Sequence, residues 1–301
     1  MPENREVIDN PRSDRVRRVN DLADRRQRQR HGRFLIEGPQ CAREAVACRP
    51  DALMDLYIEV GPGDGLQPVS PAVAAIRDQA RSQAPGVYVH YVTSRVMQAI
   101  SKNAQGIVGV GSLEAMRDDL DALAADWGEG AEAAADDNET LIAALWQVRD
   151  PGNAGAVIRA ADAAGCQAAL LVDECVDPFN PKVLRATAGS IFHIPVLPVS
   201  TDEFFVRCRG WELPVLAADI YGAHGRQPQA LPDFLARSPS GAAGRAVLFG
   251  NEARGLPEEV LARVDAIVSI PIYGRAESLN LATSAAVMLY ALAMSSRLER
   301  M

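Results

Sequence analysis

Three stretches of this 301-residue chain hold more chemically able side chains than a connecting loop needs. The first runs Val148-Arg149-Asp150-Pro151-Gly152-Asn153-Ala154-Gly155-Ala156-Val157-Ile158-Arg159. Its Pro-Gly pair makes a turn, Gly155 allows close backbone approach, and Arg159 follows Asn153 by six residues, nearly two helical turns. Asn153 and Arg159 can then face the same side of a helix, and the plainest reading is an N-cap asparagine with a surface arginine. The second, Leu248-Phe249-Gly250-Asn251-Glu252-Ala253-Arg254-Gly255-Leu256-Pro257, brackets an Asn-Glu pair with glycines directly after an apolar strand. A turn into a helix explains the glycines but not a carboxylate, which is a ready proton acceptor. The third, Ile270-Pro271-Ile272-Tyr273-Gly274-Arg275-Ala276-Glu277-Ser278-Leu279-Asn280-Leu281-Ala282, crowds Glu277, Ser278 and Asn280 at a helix entrance. Ser278 reads there as the N-cap, beside a loop suited to an apolar or adenine-like group.

The elements that must position these loops follow from pattern and punctuation. Residues 141–146, 168–172, 213–218, 245–249 and 266–271 read as strands, and 193–199 as extended. Helices are expected at 153–164, 181–187, 202–209, 257–264 and 279–298. Uninterrupted apolar strands such as Ala246-Val247-Leu248-Phe249 belong in a sheet covered on both faces. In an open α/β sheet, ligands bind beyond the carboxyl ends of strands, which is where the three loops fall. Upstream, strands at 33–37, 53–60, 87–92 and 107–110 alternate with helices at 14–30, 39–48, 71–83 and 94–101. That alternation predicts a small α/β domain with a largely parallel sheet. The division is a first domain over 1–112, a linker over 113–140, and a second domain over 141–301.

Together the three loops resemble the three motifs of the SpoU/TrmH family of RNA ribose methyltransferases, part of the SPOUT superfamily. The residues carrying the resemblance are Asn153, Gly155 and Arg159, then Gly250-Asn251-Glu252 with Gly255, then Ile270-Pro271 with Glu277-Ser278-Leu279-Asn280. It covers 141–301 strongly, and Phe34-Leu35-Ile36-Glu37-Gly38 with its preceding basic helix resembles the family's substrate-binding domain more weakly. The resemblance implies methyl transfer from S-adenosylmethionine to a ribose 2'-hydroxyl, without a metal, by a domain whose C-terminal chain forms a trefoil knot. It further implies that Gly250, Ile270 and Leu279, with Leu248 nearby, hold S-adenosylmethionine, mainly through backbone groups. Asn153, Arg159, Glu252, Ser278 and Asn280 are the implied catalytic residues. Arg159 is the family's proposed activator, yet a guanidinium stays protonated. Anchoring a phosphate suits it better. Glu252 is the easier proton acceptor or else orients Asn153 or Asn280, while Ser278 and Asn280 position the ribose or its phosphate. A homodimer through the knotted domain is implied as well, and the apolar stretch Leu281–Met294 is compatible with it.

Charge distribution supports a nucleic-acid partner despite a net charge of −8. Between Leu113 and Thr140 there are ten acids and one base, so the rest of the chain sums to about +1. Nine arginines between Arg12 and Arg33 face only Asp14, Asp21 and Asp24, which marks an RNA-tracking surface. Ribosomal RNA is expected ahead of transfer RNA. The five dispersed cysteines form no CxxC pair and the four histidines are scattered, which points to reduced cytoplasmic thiols and no metal. No apolar run is long enough for a membrane span, and the first twenty residues lack the apolar core of a secretory signal.

Three other readings compete with this one. Glu59-Val60-Gly61-Pro62-Gly63-Asp64-Gly65 mimics the glycine loop of Rossmann-type methyltransferases. Pro68 and Pro71 interrupt the helix that should follow it, and no acidic residue ends the next strand. A catalytically inactive RNA-binding protein fits poorly with a full set of candidate catalytic residues. Nucleotide hydrolysis lacks its GxxxxGK[ST] loop.

Overall fold

The computed structural model describes residues 3–61, 63, 65–117, 140–223, 225–237 and 244–295, in two compact units. Most of the acidic linker, 118–139, lies outside the described residues. The first unit contains Met1–Arg117 together with Asp177–His193. The second contains Asp118–Val176 and Ile194–Met301. The division read from the sequence kept 141–301 whole, so the placement of Asp177–His193 is a departure from it.

The first unit is a five-stranded sheet in the order β1-β4-β3-β5-β2, with β1 Glu3–Ile8, β2 Arg33–Glu37, β3 Leu53–Glu59, β4 Tyr88–Val92 and β5 Ile107–Ser112. Strands β1, β4 and β3 run parallel, but β5 is antiparallel to both β3 and β2. The sheet is therefore mixed rather than largely parallel. Apolar alternation reveals which face of a strand is buried and carries no information on its direction against a neighbour. Its helices are α1 Asp14–Asn20, α2 Arg25–His31, α3 Gly38–Cys48, α4 Pro71–Gln83 and α5 Ser94–Ile100.

The single basic helix expected over 14–30 is instead two. Asp24 leaves the helix with an extended ψ of 136° and accepts from the amides of Arg26 and Gln27, so it caps α2. Leu22, in the 3-10 turn Asp21–Ala23, is buried with Val16 and Val19 against Leu35, Tyr57, Val92 and Val108. The break strands the Leu22 and Ala23 carbonyls, and Arg28 Nη1 donates to both, at 2.9 and 2.8 Å. Arg28 is thus buried, not part of an RNA-tracking surface, and its Nη2 lies 2.6 Å from Asp177 Oδ2.

Asp177–His193 is held to the first unit by several contacts of this kind. It contains α6 Pro181–Thr187, whose Arg185 donates to the buried Glu37 carboxylate alongside Ser101 Oγ. Phe179 and Phe192 sit 4.7 and 6.5 Å from the ring of Phe34. Gly111 is required beside that ring, because a Cβ there would fall 2.4 Å from Phe34 Cζ. The same segment brings His193 Nε2 to 3.4 Å from Glu44 Oε2. With Cys48 one turn along α3, these three ligand atoms lie within 4.8 Å of one another, a grouping that sequence spacing did not reveal.

The second unit is an all-parallel seven-stranded sheet in the order β10-β12-β9-β11-β6-β7-β8. Its strands are β6 Leu141–Trp146, β7 Ala168–Val172, β8 Val196–Val199, β9 Val215–Ala218, β10 Gln229–Ala230, β11 Arg245–Phe249 and β12 Ala266–Ser269. Strands β7 and β11 are buried at every position, as the uninterrupted apolar runs require. Among the described residues its helices are α7 Pro151–Ala164, α8 Thr201–Gly210, α9 Leu231–Arg237, α10 Glu258–Leu261 and α11 Leu281–Ser295. The short β10 and α9 lay in a stretch for which no element was expected. Strand β11 inserts between β6 and β9, and β12 then lies on the far side of β9. Strand order therefore reverses at the middle of the sheet, the place where loops part to leave a crevice. Among the described residues no helix is long and apolar enough to cross a membrane.

Candidate active site

The crevice is real and lies at the carboxyl ends of β9, β11 and β12. A cavity of about 480 Å³ is lined there by Asn153, Gly250, Glu252, Ile270, Ser278, Leu279 and Asn280. Seven of the nine residues singled out from the sequence thus meet in one place, although they come from three separate loops. The other two stand apart. Leu248 is fully buried in β11 within the hydrophobic core, and it is the next residue, Phe249, that reaches the cavity. Arg159 is exposed on α7, and among the described residues it makes no hydrogen bond or ion pair.

Local capping decides how the polar groups are oriented. Asn153 is not the cap of α7, because Asp150 Oδ1 takes that position, 2.7 Å from the Asn153 amide nitrogen. The Asn153 side chain is thereby released toward the cavity. At the other helix entrance Ser278 is not the cap either. Asn280 Oδ1 accepts from the backbone amides of Ala282 and Thr283, at 2.9 and 3.4 Å. A backbone N–H only donates, so this bond fixes which end of the Asn280 amide is oxygen. Its Nδ2 then points to Asn153 Oδ1 at 3.0 Å. Asn153 Nδ2 in turn donates to Glu252 Oε1, also at 3.0 Å. The result is a directed chain running from a helix N-terminus through Asn280 and Asn153 to one carboxylate oxygen of Glu252, with the other oxygen outside it.

The loop carrying Glu252 is itself locked. Asn251 Nδ2 donates 2.7 Å to the Gln147 carbonyl, Asn251 Oδ1 accepts from Ala253, and Gly255 N returns to the Asn251 carbonyl at 2.8 Å. Gly250 was expected to let backbone approach a ligand. Its more immediate role is loop closure, since a Cβ would lie 2.6 Å from the Gly255 carbonyl carbon and 2.8 Å from Leu256 N.

Asn251, named among the motif residues without a role, acts as a positioning residue. Sequence reasoning passed over Asp219, at the end of β9, which lines the cavity while its Oδ1 accepts from the amides of Tyr221 and Gly222, both at 2.7 Å. Its signal was available, because a polar residue at a strand's carboxyl end in such a sheet faces the ligand crevice. Cysteine chemistry is not on offer here. Burial pushes the Cys41 and Cys175 thiols up to about 11 and those of Cys166 and Cys208 up to about 12, far from yielding a thiolate near neutral pH.

Comparison with known proteins gives the chain a family. Residues 140–290 match the SpoU rRNA Methylase family, and residues 13–109 match the MRM3-like substrate binding domain. A 23S rRNA (guanosine(2553)-2'-O)-methyltransferase of Bacillus subtilis is 39% identical over 150 residues, 48% of this chain and 54% of the relative. The chain thus spans about half the length of that relative. A 23S rRNA (uridine(2479)-2'-O)-methyltransferase of Streptomyces viridochromogenes aligns over 89% of this chain and 85% of its own, at 27% identity. Among solved structures, an AdoMet-bound rRNA methyltransferase from Sinorhizobium meliloti superposes with a TM-score of 0.72 at 26% identity, covering 98% of each chain.

Proposed function

The chain belongs to the SpoU rRNA methylase family, and from that premise we propose that it transfers a methyl group from S-adenosylmethionine to a ribose 2'-hydroxyl of ribosomal RNA. The observation that carries this reading is the directed chain Asn280–Asn153–Glu252 at the mouth of the cavity. It presents a carboxylate at a fixed angle where a hydroxyl must lose its proton.

The cavity suits the cofactor. Its volume of about 480 Å³ falls in the range of small-molecule sites, and Phe249, Ile270, Ile272, Leu279 and Met288 give it an apolar wall for a purine. When bound, S-adenosylmethionine supplies an electrophilic methyl group. The chain's own residues do the rest. Glu252 accepts the 2'-hydroxyl proton, and Asn153 holds the carboxylate in place. Ser278 and Asn280 position the ribose. Arg159 anchors a phosphate of the RNA, an interaction that a permanently charged, fork-shaped guanidinium makes well. Displacement at a methyl group requires attacking oxygen, carbon and leaving sulfur in line, so positioning contributes as much as proton removal. Threading of the C-terminal chain as a trefoil knot is part of the same reading, supported by the way β11 and β12 cross on either side of β9.

Arg159→Ala is expected to lower kcat/KM on RNA by more than tenfold, with S-adenosylmethionine affinity unchanged, the loss of a charged hydrogen bond being about 2–3 kcal/mol. A loss under tenfold removes Arg159 from the mechanism. Gly250→Ala is expected to force the 250–255 loop open. Overpacking of this kind costs about 1–3 kcal/mol, so calorimetry should record S-adenosylmethionine affinity falling by about 5- to 150-fold. Affinity within twofold of the wild type would show that the loop yields elsewhere.

The protein is a homodimer in this reading. Val287, Tyr290 and Met294 leave apolar surface exposed on α11, which packs against the helix bearing Arg159. Light scattering on the purified chain decides between monomer and dimer. A cytoplasmic location fits five cysteines without a disulfide among them. The deciding experiment is transfer of labelled methyl to total RNA from cells lacking the protein, followed by digestion to nucleosides. Label on a 2'-O-methyl nucleoside in ribosomal RNA supports the proposal. Label in transfer RNA moves the substrate class, and label on a base overturns the reaction.

A further inference from the structure

In the first unit three rings form a row over the middle of β3 and the first half of β4. Tyr57 and Tyr88 both stack against His90, with centroids 4.7 and 4.8 Å away and planes inclined by 25° and 28°. His90 is clamped at both nitrogens: Nδ1 lies 3.4 Å from Arg15 Nη1 and Nε2 lies 2.9 Å from Asp55 Oδ1. A guanidinium only donates, so Nδ1 is the acceptor and Nε2–H donates to Asp55. The imidazole therefore cannot turn without losing a partner. Tyr57 and His90 are buried, whereas Tyr88 is 40% exposed and ends the row at the surface.

Charges of both signs surround the row. Burial pushes the Tyr57 phenol up to about 12, with Asp55 adding to the rise, and Arg15 and Arg33 pulling against it. Both guanidiniums thus lie within electrostatic reach of the row, and both are exposed. Arg33 opens β2 as Tyr88 opens β4, and these strands run in the same direction through β5 and β3. The two residues therefore belong to the same end of the sheet. A rigid, supported ring flanked by exposed cations is the arrangement that holds a single-stranded nucleic acid, with bases stacked on aromatic faces and phosphates on arginines.

We propose that Tyr88 is a stacking platform for an unpaired base of the RNA substrate, with Arg15 and Arg33 holding the neighbouring phosphates. This rests on the RNA methylation reading and adds to it a substrate feature, an unstacked nucleotide away from the methylated ribose. An exposed tyrosine alone would mean little, because exposed apolar rings are common on protein surfaces. The clamp on His90 is the distinguishing feature, since it makes the supporting ring immobile.

The test uses the full chain and a fluorescein-labelled RNA of about twelve nucleotides, within the usual site size, presented single-stranded and as a duplex. Tyr88→Ala should weaken single-strand binding by about tenfold, while duplex binding changes by less than about twofold. Tyr88→Trp should restore it. Tyr88→Leu keeps apolar bulk without a π-face and guards against misfolding: a leucine variant that melts like the wild type but binds single strands normally overturns the proposal. Equal weakening of both RNA forms overturns it too, because a stacking platform acts on unpaired bases and not on a duplex. Arg33→Gln should flatten the salt dependence of single-strand binding by about 0.7 in log–log slope. Wild-type methyl transfer is run in parallel. Normal transfer with no effect at Tyr88 defeats the platform alone, whereas a Tyr88 effect without transfer to ribosomal RNA defeats the methylation reading alone.

Discussion

Glu252→Gln should lower the rate of methyl transfer by about 10²–10⁴-fold, the range that a positioned general base contributes. Glutamine retains an oxygen to accept from Asn153 Nδ2, so the bond measured at 3.0 Å survives, as does the chain through Asn153 to Asn280. What is lost is proton acceptance. The substitution thus separates two roles that coincide in the native residue. Single-turnover kinetics with S-adenosylmethionine bound beforehand isolates the chemical step. If the rate falls less than about tenfold, Glu252 orients its neighbours and the proton leaves by another route. Asn153→Ala is the companion measurement: it leaves the carboxylate intact but unsupported, and a smaller loss is expected from it.

Arg28→Ala is expected to have the largest effect on stability. The guanidinium is 2% exposed and satisfies Asp177 and the carbonyls of Leu22 and Ala23 together. Removing one partner of a buried ion pair costs about 3–5 kcal/mol, because the remaining charge and acceptors are left without water. Hydrogen exchange should report this locally: protection of the β2 amides should fall by roughly 150- to 5,000-fold. The double variant Arg28→Ala with Asp177→Ala should recover part of the loss. A decrease under about fivefold in the single variant would mean that water replaces the guanidinium, contrary to the packing seen. The same geometry predicts that Arg28, unlike its exposed neighbours, contributes little to the salt dependence of RNA binding.

Much of the architecture was legible in the residues. Strands 33–37, 141–146, 168–172 and 245–249 and helices 71–83 and 181–187 were read to the residue. Each is bounded by its own punctuation and filled by a local apolar pattern. That the three loops meet at one cavity was legible too, because a carboxylate between two glycines after an apolar strand is more than a turn needs. Other features were hidden. The caps read from the sequence were Asn153 and Ser278. The structure chose Asp150 and Asn280, and that choice turned the Asn153 side chain from a cap into a link between two loops.

The chain's composition and local spacing thus determined most of the strands and helices, though not β10, α9 or the break before α2, and which residue types gather at the carboxyl ends of the second sheet. Tertiary structure alone decided the partners. Glu252 reaches Asn153 across 99 positions, Asn280 reaches Asn153 across 127, and Arg28 finds Asp177 across 149. It also decided that Asp177–His193 joins the first unit and that β5 runs against its neighbours. The reason is physical. Capping and periodicity act within a turn or two of the chain, whereas a buried donor takes whichever acceptor the fold brings within about 3 Å, and nothing local names that acceptor.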